Sequence, residues 1–325
     1  MYLTSNVYNK YNRNGENITI FIKTIYKNYS KSIRKGSVFL KFDNGFKEIK
    51  IRHIISMYLI MILILIAIII GIYPAGEISN TNINILCLIM ESLCAIVLCY
   101  MIKPSKGKIN SLYSDFKTKL NLKEIILVII FFVCLNMGAK NIMTDIIYLI
   151  SPSFANSFIN DSTLIINSKI DYWMVFIILV ILTPFTEEIV FRYVFFKRLS
   201  KKFNIYVGLI VSSIIFAAFT NGSGPEFIGF LLLGIINCVL YVKYENILIP
   251  MFIYFVNNAF YMIASIPFGK AENEAINLNL SDMIFYAVSG GVLFTIGMIF
   301  FIKFISENKV YLRENFDKSK GMEIK

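Results

Sequence analysis

The residues best able to do chemistry in this chain stand together at Thr186-Glu187-Glu188-Ile189-Val190-Phe191-Arg192, inside an otherwise apolar stretch. Two adjacent glutamates on a helix project about 100° apart, so they serve different faces. Glu188 and Arg192 lie at i and i+4 with the acid N-terminal, the favourable order for an ion pair. Glu187 is left without a local cation. That division predicts one carboxylate held in the structure and one available for work. A carboxylate sheltered from water can act as a general base near neutral pH. The plainer reading is that all three side chains reach the inner headgroup region and snorkel there.

Two later segments carry polar groups at helical spacing. In Ser213-Ile214-Ile215-Phe216-Ala217-Ala218-Phe219-Thr220-Asn221, Phe216 and Thr220 share a face. In Ile249-Pro250-Met251-Phe252-Ile253-Tyr254-Phe255-Val256-Asn257-Asn258, Tyr254 and Asn258 do the same. Asn258 is an amide in an apolar span and needs a hydrogen-bond partner. Packing between helices is the ordinary use of such an Asn or Tyr; a polar wall facing Glu187 is the functional use.

The elements that must position these residues are membrane helices. Of 325 residues, 57% are hydrophobic and 16% charged, against nearly half apolar and a quarter charged in a soluble domain; the mean hydropathy is +0.66. The apolar residues fall in runs at about 54–72, 83–102, 124–150, 172–196, 205–220, 226–242, 247–266 and 283–305. A span needs about 20 apolar residues, because lipid offers the backbone no hydrogen bonds. The sequence therefore predicts an all-α polytopic bundle of about eight transmembrane helices. The third run carries Lys140 and Asp145, which suggests that its span ends early. Three regions follow: a basic N-terminal segment over 1–53, the bundle over 54–305 and a basic tail over 306–325.

Charge supports that plan independently. With the N-terminus inside, 29 of the 32 Lys and Arg residues lie on cytoplasmic segments, leaving Lys140, Lys169 and Lys270 outside. Both ends are thus expected in the cytoplasm, and the location expected is the cell membrane, multi-pass. The net charge of +11 is then mostly topology, with membrane lipids as the partner and no nucleic acid, since no nucleic-acid-binding signature occurs. Residues 17–42 read either as a basic amphipathic helix on anionic lipid or as a mobile tail. The first 50 residues are polar, so no cleavable signal peptide is expected. Cys87, Cys94, Cys99, Cys134 and Cys238 all sit inside apolar runs and read as packing residues, not as a disulfide framework. The richness in Ile, Asn, Lys and Tyr points to an AT-rich bacterial genome.

Glu187-Glu188-xxx-Arg192 resembles the EExxxR motif of the CPBP family, the CAAX protease and bacteriocin-processing group also called Abi, whose members are intramembrane endopeptidases related to the type II CAAX prenyl protease. The family's second and third motifs, FxxxH and HxxxN, align on Phe216 to Thr220 and on Tyr254 to Asn258. The resemblance extends over about residues 171–266. It implies that Glu187 activates water, that Glu188 and Arg192 form a supporting pair, and that Asn258 is a polar stabiliser. Thr220 and Tyr254 stand where the family has histidines. The chain's single histidine, His53, lies at the mouth of the first span and reads as a juxtamembrane residue. Thr and neutral Tyr are poor zinc ligands and cannot shuttle protons near pH 7. No cofactor is predicted and zinc is disfavoured.

The resemblance implies a protein that keeps the family's glutamate site with weak or no peptidase activity. It would bind a membrane-embedded peptide or protein, as in bacteriocin self-immunity or regulation. An active glutamate-dependent endopeptidase of CAAX type is the first alternative. A small transporter with Glu187 as a proton relay is another, although no inverted repeat accompanies it.

Overall fold

The computed structural model describes residues 46–72, 79–160, 166, 168–221, 224–265 and 278–323. The segment 17–42 lies outside these. Among the described residues the protein is helical, with no strand. Its helices are α1 (Ile51–Ile72), α2 (Asn80–Ile102), α3 (Lys106–Lys119), α4 (Leu122–Ile150) and α5 (Pro152–Asn160). They continue with α6 (Lys169–Lys202), α7 (Ile205–Asn221), α8 (Phe227–Tyr244), α9 (Leu248–Ser265) and α10 (Leu280–Glu323). Six of them (α1, α2, α4, α6, α8 and α10) are long and apolar enough to cross a membrane; α7 and α9 are apolar but shorter. The architecture is a polytopic all-α membrane bundle. The eight apolar helices coincide with the eight apolar runs.

Helix ends follow from local chemistry. Ser79, Ser105, Asn121 and Ser168 cap α2, α3, α4 and α6, each side chain accepting a backbone N–H from the first turn. Helix α8 stops at Glu245, whose left-handed backbone (φ 51°) turns the chain. Pro250 falls in the first turn of α9, where a missing N–H costs nothing.

One expectation needs correction. The third span does not end early: α4 runs unbroken for 29 residues. Its Lys140 is tolerated because Nζ donates to Glu226 Oε1 at 2.6 Å. Helix α10 runs from Leu280 to Glu323, so the basic tail region is helical where it is described.

Burial sorts the helices. The spanning windows of α6 and α8 are 56% and 67% buried within the protein, against 17% for α1, α2 and α10. The chemistry-bearing helix is therefore central, and the outer helices offer apolar side chains such as Leu59, Leu63 and Ile70 to lipid. Close approach of α4 to α10 depends on glycine: a Cβ at Gly138 would lie 2.4 Å from the Phe294 backbone nitrogen. The five cysteines are free, with Cys94 and Cys238 buried.

A short strap closes one end of the bundle, where α2 and α6 finish. Lys47 N–H donates to Ile102 O at 2.9 Å, and Tyr193 O–H donates to Phe46 O at 2.7 Å. Arg198 donates to Ile49 O, and Lys201 Nζ meets Glu48 Oε1 at 2.5 Å.

Candidate functional site

Helix α6 is irregular where the site lies, and the cause is Pro184. A proline inside a helix has no N–H to give and collides with the carbonyl four residues back. The helix widens to π geometry over Ile177–Leu182, with Thr183 N–H reaching Ile178 O. A second π stretch covers Ile189–Phe196. Such stretches are frequent at functional sites. Between them, Thr183–Glu188 is a short α-helical segment carrying both glutamates.

Widening leaves the Leu179 carbonyl without a backbone donor from Pro184. Asn258 of α9 supplies one, its Nδ2 donating to Leu179 O at 2.7 Å. Asn258 Oδ1 in turn accepts from Asn257 Nδ2 at 3.1 Å. The structure thus places Asn258 beside the break in α6, one turn from Tyr254, in bonds that hold α9 against α6.

The two glutamates diverge. Glu188 is fully buried; its Oε1 lies 3.0 Å from Arg192 and accepts from Asn237 Nδ2 of α8 at 2.9 Å. The Arg192 guanidinium, 1% exposed, stacks over the Phe216 ring with its carbon 4.1 Å from the centroid. Phe216 also meets Tyr254 edge-on, at 5.7 Å and 83°, and Phe191 at 5.3 Å and 72°. One ring of α7 therefore supports the ion pair on one side and fixes the tyrosine on the other.

Glu187 projects toward α7 and α9. Its Oε2 accepts from Tyr254 O–H at 2.9 Å and from Thr220 Oγ1 at 3.2 Å. Glu187 is buried and Thr220, which donates to it, is half-buried, so the carboxylate is sheltered. Snorkelling toward headgroups is overturned: Glu187, Glu188 and Arg192 are all buried inside the bundle. The residues singled out in the sequence, Glu187, Glu188, Arg192, Phe216, Thr220, Tyr254 and Asn258, come together on α6, α7 and α9.

This constellation lies inside the stretch that a known family describes. The family model "Type II CAAX prenyl endopeptidase Rce1-like" matches residues 169–260. Over these residues the chain is similar to that family. It covers under a third of the chain, from α6 into α9, and contains every residue named above. No curated protein and no solved structure matches the chain.

Sequence reasoning missed the other groups at this site. Asn237 was passed over as one amide in an apolar run, yet it is fully buried against Glu188. Glu91 of α2, outside the matched segment, has Oε2 3.3 Å from Thr186 Oγ1. Its signal was legible: it is the single charged residue between Asn80 and Ile102. Tyr58 of α1 packs on Phe219 of α7, with ring centroids 5.0 Å apart. Asp171 anchors the far end of α6, accepting from Ser168 Oγ at 2.8 Å, Thr81 Oγ1 at 3.3 Å and Asn84 Nδ2 at 3.4 Å.

The donor set can polarise water and cradle a carbonyl oxygen. It does not fit zinc. The hydrogen bonds to Glu187 come from two hydroxyls, with Glu91 meeting the adjacent Thr186, and among the described residues none comes from the imidazole or thiolate that zinc sites use. Among the described residues, no three His, Cys, Asp or Glu side chains gather as a metal set, and His53 lies exposed in the first turn of α1.

Proposed function

We propose that the protein binds a membrane-embedded peptide at Glu187 and hydrolyses it slowly, as a relative of the CAAX-type endopeptidases whose site carries no histidine. The observation that carries this reading is the convergence of Tyr254 and Thr220, from two separate helices, on one oxygen of Glu187. Hydrolysis needs a base for water and donors for the oxygen of the tetrahedral intermediate. Glu187 takes the first role. The Tyr254 and Thr220 hydroxyls, which donate to its carboxylate, take the second by turning to the developing oxyanion. Losing one such catalytic donor commonly costs about 10²–10³ in rate, so a site with both histidine positions replaced is expected to be slow. Retained binding with weak turnover suits self-immunity toward a peptide or regulation of an envelope enzyme. The Lys and Arg distribution supports both ends on the cytoplasmic side of a cell membrane.

The test uses purified full-length protein in lipid, given prenylated CAAX-like peptides and short transmembrane peptides, beside Glu187→Gln. The reading expects slow cleavage that the variant loses, with peptide binding retained. Binding without cleavage in the wild type would leave a pure peptide-binding protein. Neither binding nor cleavage would refute the proposal.

A further inference from the structure

Where α1 begins and α6 ends, beside the strap, lies a cavity of about 330 Å³ lined by Ile51, Arg198, Leu199, Lys201 and Lys202. Ligand pockets start near about 300 Å³, so the space suits a small group. Its depth follows from the spans. The apolar stretch of α1 opens at Ile51 and that of α6 closes at Lys202. The cavity therefore stands where hydrocarbon gives way to lipid headgroups.

Charge there is one-sided. Residues 46–53 and 197–202 carry seven Lys and Arg against one acid, Glu48. That carboxylate is shared three ways: Lys201 Nζ is 2.5 Å from it, Lys197 Nζ 3.8 Å and an Arg198 terminal nitrogen 3.9 Å. One negative charge cannot neutralise three cations. Among the described residues no carboxylate pairs with Lys202, whose ammonium rests 5.2 Å over the Phe203 ring. Arg198 is anchored as well, since its Nε donates to Ile49 O of the strap. At 3.9 Å its terminal nitrogen is too far from Glu48 for a hydrogen bond, which leaves guanidinium N–H groups for another acceptor. Like charges held close repel, and a bound anion relieves that repulsion.

The lining has two characters. Arg198, Lys201 and Lys202 supply donors, and Ile51 and Leu199 supply apolar surface. Arginine matches phosphate with paired N–H groups and lysine as a point charge. A free phosphate makes no use of the apolar wall. A phospholipid uses both, because its phosphate is followed by glycerol esters and acyl chains. Basic pockets between membrane helices are suited to such headgroups.

We infer that this cavity is a binding site for the phosphate of an anionic phospholipid, held between the start of α1 and the end of α6. The phosphate adds a second counter-charge beside Glu48, so lipid and strap together fasten the end of the helix that carries Glu187. The inference is independent of the hydrolytic reading of that glutamate.

The test titrates full-length protein in neutral detergent micelles with phosphatidylglycerol, counting lipids bound per chain by native mass spectrometry. One phosphatidylglycerol should bind in clear preference to phosphatidylcholine; equal binding of the two overturns the inference. Lys202 is exposed, so its replacement leaves the core intact. Lys202→Gln should weaken binding about 5-fold, the worth of one basic residue at an anionic membrane surface, and Lys202→Arg should restore it. As a control, Lys108→Gln/Lys117→Gln removes two exposed charges from α3 and should leave the affinity unchanged. No loss in Lys202→Gln, a loss that Lys202→Arg does not restore, or an equal loss in the α3 control would mean diffuse attraction and no built site. In a second arm, inorganic phosphate competes with the bound lipid. The lipid should stay bound at equimolar phosphate; its displacement there would make the site one for a soluble anion and overturn the lipid assignment.

Discussion

Replacing one or the other of two neighbouring glutamates should have very unequal consequences for stability. Glu188 is the counter-charge of Arg192, a guanidinium 1% exposed whose remaining support is the Phe216 ring. Removing one partner of a buried pair leaves an uncompensated charge and costs about 3–5 kcal/mol. Glu188→Ala should fall in that range, because the Phe216 contact stays in both states and Asn237 loses its acceptor as well. Glu188→Leu with Arg192→Met removes both charges and should recover most of the loss. Glu187→Gln keeps an acceptor oxygen for Tyr254 and Thr220 while removing a sheltered charge, so its cost should be about 1 kcal/mol or less. Reversible denaturation in mixed detergent micelles measures all four proteins on one scale. The reasoning fails if Glu187→Gln is as damaging as Glu188→Ala, or if the double variant is no better than Glu188→Ala alone.

Three further outcomes follow from particular contacts. Gly138→Ala should cost about 1–3 kcal/mol in the same denaturation assay, since its Cβ meets Phe294 backbone that cannot swing aside; a neutral result would mean α4 and α10 are not so close. Asn258→Leu strips the Leu179 carbonyl of its donor and should cost about 1–3 kcal/mol, whereas a purely catalytic Asn258 would leave stability untouched. At the strap, the hydrogen bond from Lys201, opposed by partial burial and aided by the charges of Lys201, Lys197 and Arg198, holds the Glu48 carboxyl below its ordinary value of 4.5. A depressed carboxylate stabilises above its unfolded pKa, so the contribution is full at neutral pH and is lost as pH falls below 4.5 through the folded value. A fluorophore at Lys47 should report strap release in that acid window, and Glu48→Gln should abolish the pH dependence.

Much of this arrangement was legible in the residues. Run length and the absence of charge marked the apolar helices, because lipid imposes the same length on each span. The i, i+4 order of Glu188 and Arg192 foretold their pair, and the shared faces of Phe216 with Thr220 and Tyr254 with Asn258 foretold their convergence. What stayed hidden depended on contacts between helices distant in sequence. Lys140 looked like a span terminus because nothing local indicated that Glu226, 86 residues on, would meet it. The job of Asn258 required knowing that Pro184 would open α6 opposite it. Glu91 is the one charged residue of α2 and Asn237 the one carboxamide of α8; their meaning appears once Thr186 and Glu188 lie beside them.

The central claim is that α7 and α9 present Thr220 and Tyr254 to the same carboxylate of α6. Zinc binding to Thr220→His/Tyr254→His tests it without requiring turnover, since two imidazoles placed beside Glu187 would create a His₂Glu ligand set. The account predicts one zinc per chain in that double variant by calorimetry and metal analysis, with none in the wild type and a large loss when Glu187→Ala is added. Zinc that binds equally well without Glu187, or a folded double variant that binds none, would contradict the convergence on which the account is built.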